Sequence, residues 1–350
     1  MAAEDLPDAL AAAVPFQVQL RTDFRQVRSR SGLLIAGPSG FGEFAPFDDY
    51  PDWAAARWLG SALEAAFARW PAARRQSIAC NAIIPDLPVA ETAQAARHAV
   101  RDLGCTVLKV KVGGAGGLAR DVARIEAIGE VLDDALGADQ GLLRLDANAA
   151  WDADAAVTAL MAITAVARGR VDFVEQPCGT PAAMQVVRDR VGVRVAADEL
   201  VRWATNPRDD RLIDEVRACA DVVILKAAPL GGVQAAMDVA VAYGLPVVVS
   251  GSLDSSIGLG PGIALAAALD VAAACGLGTG TLLATDLLDV PLVPQRGHLP
   301  VLRSIPDRRA LQAATAAVTP EKARRLQARL RGAWQAASND DRARWRELLR

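Results

Sequence analysis

The sequence predicts an α/β protein: a (β/α)7β barrel carrying an α+β cap formed by the N-terminal region and a C-terminal segment. From about residue 76, short β-branched runs alternate with alanine-rich amphipathic segments, as strands and helices do in a parallel sheet. A polar or charged side chain follows nearly every run, and barrel enzymes build their sites from the C-terminal ends of many strands. An open doubly wound sheet would instead concentrate such residues at one switch point.

The predicted elements follow one another at regular spacing. The runs that we interpret as strands are 77–84, 106–112, 142–148, 171–177, 193–199, 221–227, 246–252 and 275–280. The segments between them that have helical periodicity are 89–103, 118–136, 152–167, 181–190, 208–218, 231–243 and 258–269. We therefore expect a cap at 1–75 with strands and one helix, a barrel at 76–302, and a charged helical segment at 303–350 that packs on the cap or the barrel.

The composition limits the class of protein and its partners. Of the 350 residues, 52% are hydrophobic and 23% charged, which indicates a globular protein with a large core rather than a disordered chain. A net charge of −3 argues against a nucleic-acid partner. Charge-free stretches stop short of the roughly 20 residues that span a bilayer, and the N-terminus lacks the layout of a signal peptide. The five cysteines form no C-x-x-C pair, so we expect a cytoplasmic protein with reduced thiols and no membrane association.

Three acidic residues predict a metal site. Asp146, Glu175 and Asp198 each lie at the end of a predicted strand, on three successive strands. Carboxylates brought so close repel one another unless a cation joins them. A set of oxygen donors without histidine or cysteine suits a hard ion, most naturally Mg²⁺, with Mn²⁺ as the other choice. The alternative, that each acid is a solvated loop residue or a helix cap, is disfavoured because all three follow the strand repeat.

The lysines predict a base. In "VLKVKVGG" (107–114), Lys109 and Lys111 are two residues apart, so both ammonium groups leave the same face of the strand. Barrel strands are buried on both faces, which argues against two surface lysines. Lys226 ends a strand beyond the acids and would face the pair across the barrel mouth. A neighbouring ammonium and desolvation both lower a lysine pKa, so we expect Lys109 to make Lys111 a usable base near neutral pH.

Together, a metal site and a lysine base predict removal of a proton α to a carboxylate. The metal and the opposite lysine would stabilise the enediolate that forms. "SGSLDSS" (250–256) could offer hydroxyl and N–H groups to a substrate anion, or be an ordinary helix cap. "GGAGG" (113–117) lacks the ending of a phosphate-binding loop, and we interpret it as a connection. Because neither His98 nor His298 is placed to activate a serine, a Ser–His–Asp hydrolase is excluded.

The motifs "KVKVG", "LDANAAWD", "VEQPC", "AADE", "ILKAAPLGG" and "VVVSGSLDSSIG" together resemble the muconate-lactonizing subgroup of the enolase superfamily, over roughly residues 15–302. This resemblance implies that Lys111 abstracts the α proton, Lys109 tunes it, and Lys226 stabilises the intermediate from the opposite face. The further roles that the resemblance implies are Mg²⁺ binding by Asp146, Glu175 and Asp198, support by Asn148 and Glu199, and substrate contact by Ser250, Gly251, Ser252 and the cap residue Phe41.

Within that subgroup, the chain is most similar to the dehydrating synthases of menaquinone biosynthesis. The resemblance implies Mg²⁺-dependent syn dehydration of 2-succinyl-6-hydroxy-2,4-cyclohexadiene-1-carboxylate, in which Lys111 returns its proton to the departing hydroxyl. An N-acylamino acid racemase or a dipeptide epimerase with the same two lysines is the alternative. A dipeptide epimerase should carry an acid near the eighth strand, but Asp286 and Asp289 lie well past it. A catalytically silent binding barrel is a third hypothesis, which the intact lysines and acids disfavour.

The departures from that subgroup lie where substrate choice is made. Phe41 stands where tryptophan is expected, and Gly251 and Asp254 stand where many relatives carry alanine and glutamate. The charged tail beyond about residue 305 is outside the resemblance. We expect a small-molecule carboxylate as the binding partner, and the sequence makes no prediction of the oligomeric state.

Overall fold

The computed structural model describes residues 6–24 and 27–350, and its N-terminal part forms a cap. The elements of this cap are α1 (Asp8–Ala11), the antiparallel sheet of β1 (Val14–Phe24), β2 (Val27–Gly37) and β3 (Gly40–Phe44), and α2 (Asp52–Phe67). The helix lies directly on the sheet. A Cβ atom at Gly42 would lie 1.8 Å from the carbonyl oxygen of Ala62, so glycine is required where β3 meets α2.

The barrel is a curled parallel sheet. Its strands, in spatial order, are β5 (Ala82–Ile84), β6 (Val107–Lys111), β7 (Leu142–Asp146), β8 (Val171–Glu175), β9 (Arg194–Ala197), β10 (Val222–Leu225) and β11 (Val247–Val249). Parallel bridges from Ser250 to Gly276 and from Cys275 to Cys80 link the last strand back to the first. The predicted barrel class is confirmed, with the eighth strand reduced to these bridges and a 3₁₀ turn (Gly278–Leu282). Outside the barrel, β4 (Ser77–Ala79) pairs with β12 (His298–Pro300).

Helices cover the outside of the sheet. They are α3 (Val89–Arg97) with a π turn (His98–Asp102), α4 (Gly117–Leu136), α5 (Ala153–Ala167), α6 (Pro181–Val191), α7 (Glu199–Arg202), α8 (Asp210–Cys219), α9 (Ala227–Leu230), α10 (Val233–Tyr243) and α11 (Leu259–Ala268). Each predicted helix is present; the single turns α7 and α9 were not predicted, because four residues show no periodicity. Asp152, Thr180 and Asp209 cap their helices by accepting backbone N–H bonds. Every helix in the described residues is too short or too polar to cross a bilayer.

Apolar side chains and one buried ion pair fill the N-terminal end of the barrel. The small inner cluster consists of Phe173, Ala196, Val222, Ile224 and Val248. Arg144 lies buried beside it, with its guanidinium stacked on Phe173 at 4.7 Å and its Nε 2.9 Å from Asp172 Oδ2. Because these groups fill the barrel at its N-terminal end, the space for a ligand lies at the C-terminal ends of the strands.

The C-terminal segment packs on the cap. Its helices are α12 (Arg308–Ala316), α13 (Pro320–Ala336) and α14 (Asn339–Leu348). Trp334 and Trp345 lie 5.8 Å apart and are buried in one cluster with Trp58 of α2. The charged residues of this tail therefore surround an apolar stripe that covers the outer face of α2.

A buried cluster of charged groups joins the cap to the loop after β11. Arg30 of β2 donates from Nε to the carbonyl oxygen of Leu253 at 3.2 Å. Glu43 of β3 accepts hydrogen bonds from the hydroxyl and the backbone N–H of Ser255. Burial, and then the neighbouring charge of Asp254, raise the pKa of Glu43 to about 7. Burial also raises the pKa of Asp254.

This raised pKa predicts a pH dependence of stability. Because folded Glu43 binds its proton more tightly than the unfolded chain does, its stabilising contribution is full below its ordinary pKa of 4.5 and is lost as the pH rises through about 7. In Glu43→Gln, which cannot ionise, we expect stability relative to wild type to increase by about 1–3 kcal/mol between roughly pH 5 and pH 8. Urea unfolding followed by tryptophan fluorescence measures the difference.

The matched control for this prediction is Glu91→Gln, at an exposed position of α3. It should follow the wild-type pH dependence throughout. A Glu43→Gln protein that also loses stability in parallel with wild type would contradict the assignment.

Candidate active site

The predicted lysines and acids meet at the C-terminal end of the barrel. In the sheet register Lys111 pairs with Asp146, and Asp146 pairs with Glu175. Asp198 directly follows β9 and Lys226 directly follows β10. Because alternate residues of a strand share a face, these side chains all enter the barrel mouth. The three acids are at most 1% exposed.

The two lysines of β6 form ion pairs with the acids of β7 and β8. Lys109 Nζ lies 2.8 Å from Asp146 Oδ2 and 2.7 Å from Glu175 Oε2. Lys111 Nζ lies 2.5 Å from the same Asp146 oxygen and 2.7 Å from Asn148 Oδ1. The two neighbouring ammonium groups are therefore held close to each other by one shared carboxylate.

A second set of ion pairs lies across the barrel. Lys226 Nζ is 2.6 Å from Asp198 Oδ2, and Arg202 Nε is 3.1 Å from the other oxygen of that carboxylate. Arg202 also reaches Glu199, with 2.6 Å between NH2 and Oε1. Asp198 is thus bound on both sides by cations, one from each of the elements that follow β9 and β10.

These contacts separate the pKa values of the charged groups. Burial opposes the charge of Lys109, but Asp146 and Glu175 outweigh it and hold the Lys109 pKa above its usual value. Burial also opposes the charge of Asp198, yet Lys226 and Arg202 outweigh it and hold the Asp198 pKa well below its usual range. For Glu175, burial and then the Asp146 charge prevail, and the pKa rises to about 7. Lys109 is therefore a permanent cation, and its tuning of Lys111 stays a prediction.

Amide side chains position the acids and lysines. Asn148 has the left-handed backbone conformation (φ 48°); its Oδ1 faces Lys111 and its Nδ2 donates to Glu199 Oε1 at 3.1 Å. Gln176 is fully buried, and its Oε1 accepts from the backbone N–H of Asp198 at 3.0 Å. Sequence analysis missed Gln176, although an amide directly after the strand-ending Glu175 is the signal that could have found it.

A cavity of ≈ 40 Å³ lies between the two sets of charges. Its lining includes the predicted residues Ser250, Gly251 and Ser252, together with Thr279 and the cap residues Phe47 and Tyr50, which were not predicted. The backbone N–H groups of 250–252 donate to protein acceptors: Leu225 O, Gly276 O and Asp254 Oδ2. This wall of the cavity therefore shapes the space, with its backbone donors already in use.

The structure does not bring Phe41 to this cavity. Its ring packs against the satellite cluster that includes Phe16, Leu34 and Leu287, and it is absent from the lining of the cavity. Its assignment as a substrate contact stays a prediction that no distance in the structure supports.

A larger cavity of ≈ 600 Å³ lies outside the first, between the cap, the barrel and α13. Phe47, Tyr50 and Arg202 line both cavities, so they form the partition between them. The Tyr50 ring stacks on Trp203 with centroids 4.1 Å apart, and its hydroxyl accepts a hydrogen bond from Arg202. The partition is thus built from one cap segment and one turn of the barrel.

The donor chemistry of the acids fits a divalent cation. Asp146, Glu175 and Asp198 are buried oxygen donors at the ends of neighbouring strands, and oxygen donors are the ligands that hard divalent cations prefer. In residues 6–24 and 27–350, no three acidic, histidine or cysteine side chains are placed to hold a metal ion as they stand. The ammonium groups of Lys109 and Lys226 contact these carboxylate oxygens instead. A bound cation would therefore require both ammonium groups to move aside.

Comparison with known families places the chain in one superfamily. Residues 91–336 match the family described as Enolase C-terminal domain-like, and residues 15–66 match Enolase N-terminal domain-like. The fold is shared with the L-Ala-D/L-Glu epimerase from Bacillus subtilis (TM-score 0.70, 21% identity, 84% of this chain and 96% of that one). It is also shared with muconate lactonizing enzyme from Pseudomonas fluorescens (TM-score 0.71, 20% identity, 86% and 97%). The protein is an enolase-superfamily enzyme, a class whose members typically use a divalent metal.

Curated relatives define the family more narrowly. The chain is 42% identical to the o-succinylbenzoate synthase of Thermobifida fusca, over 96% of this chain and 97% of that one. It is 40% identical to the o-succinylbenzoate synthase of Mycobacterium marinum, over 89% and 90%. The chain belongs to the o-succinylbenzoate synthase family, which is a family of lyases.

The acids predict stabilisation by magnesium. At a Mg²⁺ concentration about 100 times its dissociation constant, we expect wild type to gain about 2–3 kcal/mol of stability, seen as a rise in the thermal midpoint that EDTA reverses. Glu175→Gln should lose this response, because one of three carboxylates has become a neutral amide. Glu130→Gln, exposed on α4, is the control and should keep it. An equal Mg²⁺ response in Glu175→Gln would exclude Glu175 as a ligand.

Proposed function

We propose that this chain is a Mg²⁺-dependent o-succinylbenzoate synthase of menaquinone biosynthesis. It would dehydrate 2-succinyl-6-hydroxy-2,4-cyclohexadiene-1-carboxylate to o-succinylbenzoate. The observation that carries the proposal is the placement of Lys111 and Lys226 at the ends of β6 and β10, with the buried carboxylates of β7–β9 between them. The printed activity of relatives at about 40% identity supports the same reaction.

In the proposed reaction, Lys111 carries out both proton transfers. Lys111 Nζ takes the proton from the carbon α to the ring carboxylate, and the C–H electron pair moves into that carboxylate to give an enediolate. The C–O bond to the ring hydroxyl then breaks, Lys111 protonates the departing group, and water leaves as the ring becomes aromatic. Both proton transfers use the same side of the ring, so the elimination is syn. Asn148, in hydrogen-bond contact with Lys111 Nζ, orients this base.

The opposite face of the ring belongs to Lys226. Its ammonium, which lies 2.6 Å from Asp198 in the structure, would present positive charge to the enediolate in a buried site, where electrostatic stabilisation is strong. A divalent cation held by Asp146, Glu175 and Asp198 would supply further positive charge at the substrate carboxylate. Among the described residues of the barrel mouth, the charges of the lysines and Arg202 balance those of the acids. A dianionic substrate would therefore depend on the added cation.

A racemase or epimerase is the second candidate, because two lysines on opposite faces also suit removal and return of a proton from different sides. The position of Asp286 argues against a dipeptide epimerase. Its carboxylate accepts from the Ser256 hydroxyl at 2.5 Å and from the Leu287 N–H at 2.6 Å. It is therefore engaged within the protein, away from the residues that line the catalytic cavity.

The thiols support a reducing location. All five cysteines are buried and unpaired, and burial raises the pKa of Cys105, Cys178 and Cys275 to about 11. Proteins of oxidising compartments commonly pair their cysteines, so unpaired thiols favour a reducing compartment. We therefore infer that the enzyme works in the cytoplasm.

The decisive variant is Lys111→Ala. We expect turnover of the cyclohexadiene, followed by the loss of its ultraviolet absorbance with Mg²⁺ present, to fall by at least about 10²–10⁴-fold, because the base is gone. Arg97→Ala, which removes a cation at an exposed position of α3, is the control and should keep wild-type turnover.

Two outcomes would count against the proposal. If the wild-type protein binds Mg²⁺ but leaves the cyclohexadiene unchanged, the proposed synthase activity is excluded. Deuterium exchange into N-acylamino acids and dipeptides would then test the second candidate. Full turnover by the Lys111→Ala variant would exclude Lys111 as the base.

A further inference from the structure

Thr279 has an unpartnered hydroxyl in the wall of the catalytic cavity. Its side chain is 3% exposed, and its Oγ1 has no hydrogen-bond partner among the described residues. A buried hydroxyl without a partner destabilises the folded state by about 1–3 kcal/mol. Such a group in the wall of an enzyme cavity points to a ligand that completes its hydrogen bonding.

Residue 251, next to this hydroxyl, is a glycine. A Cβ atom at Gly251 would lie 3.5 Å from Thr279 Oγ1 and 3.0 Å from Asp254 Oδ2. Because glycine lacks that atom, no side chain of residue 251 lies against the hydroxyl.

Other polar groups of this wall are already engaged. The Ser250 hydroxyl donates to Gly276 O at 3.3 Å, and the Gly251 N–H donates to the same carbonyl at 2.9 Å. The Ser252 N–H donates to Asp254 at 2.7 Å. Of the buried side-chain polar atoms that line the cavity, Thr279 Oγ1 is the one left without a partner in the described part of the chain.

The position of Thr279 in the barrel indicates which part of the substrate it meets. The carboxylates lie on β7–β9, whereas Thr279 follows the bridges that close the barrel beyond β11. With the ring carboxylate at the acids, the succinyl arm on the adjacent ring carbon is the part of the proposed substrate long enough to reach this wall.

We propose that Thr279 is a substrate-binding residue whose hydroxyl donates a hydrogen bond to a carbonyl oxygen of the substrate's succinyl arm. This inference rests on the proposed function. Gly251 contributes by placing no side-chain atom against that hydroxyl. The arm carries two candidate acceptors, its ketone and its terminal carboxylate.

The test measures ligand binding to Thr279→Val, with Thr279→Ser as the matched control. Tryptophan fluorescence in the presence of Mg²⁺ follows the binding of o-succinylbenzoate and of benzoate, which lacks the arm. We expect Thr279→Val to weaken o-succinylbenzoate binding about 3- to 10-fold and to leave benzoate binding unchanged, while Thr279→Ser stays near wild type. Gly251→Ala, which places a methyl group 3.5 Å from the hydroxyl, should weaken o-succinylbenzoate binding in the same selective way.

A stability measurement separates this role from a structural one. Because valine removes an unpartnered buried hydroxyl without changing the shape, ligand-free Thr279→Val should melt at or above the wild-type temperature. Binding of 2-butanoylbenzoate, which keeps the ketone but not the terminal carboxylate, identifies the acceptor: a loss retained with this ligand assigns the ketone, and a loss abolished assigns the carboxylate.

Unchanged o-succinylbenzoate binding in Thr279→Val would overturn the inference, and so would an equal loss for benzoate. Wild type that binds no o-succinylbenzoate would overturn the proposed function, and this inference with it. The two failures are thus distinguishable by the wild-type titration alone.

Discussion

The structure depends on one electrostatic constraint, which is that three carboxylates are buried together at the mouth of the barrel. Asp146, Glu175 and Asp198 would repel one another in a buried site. Cationic side chains from the strands on either side pair with them and offset this repulsion. Lys109 bridges the first two acids, while Lys226 and Arg202 bind the third. The lysines that could serve chemistry are thus also the groups that make the ligand-free site stable. Metal binding would have to replace those ammonium contacts, which couples the placement of both lysines to the metal.

Much of this arrangement could be predicted from the sequence because it follows from the two-residue repeat of side chains along a β-strand. Residues two apart on a strand share a face, and parallel strands end at one rim, so Lys109, Lys111 and Asp146 had to meet once the strands were recognised. The same logic predicted the barrel and each of its longer helices. The eighth strand was harder, since it consists of two bridge residues and a 3₁₀ turn, and its closure relies on Ser250 and Cys80 far away in sequence.

What could not be predicted is what the cap contributes. Tyr50 reaches the site only because the segment after β3 crosses the barrel mouth, where it contacts Arg202 and Trp203. No local pattern marks such a contact between residues about 150 positions apart. Phe41 was assigned from its place in a motif; its ring packs against a satellite core, and its contact with a substrate stays a prediction. The C-terminal segment was recognised as helical, but its apolar stripe against α2 became evident only from the tertiary contacts of Trp334 and Trp345.

The volumes of the two cavities bear on how the proposed substrate would reach the lysines and acids. A cavity of ≈ 40 Å³ has room for a few water molecules at most, far less than a substituted six-membered ring requires. A substrate of the size that we propose would therefore have to displace the partition of Phe47, Tyr50 and Arg202, beyond which ≈ 600 Å³ is open. Because Arg202 also binds Asp198, opening this partition would remove one of the two cations that pair with that carboxylate. Entry of the proposed substrate and the charge balance of the acids would thus be linked through the guanidinium of Arg202.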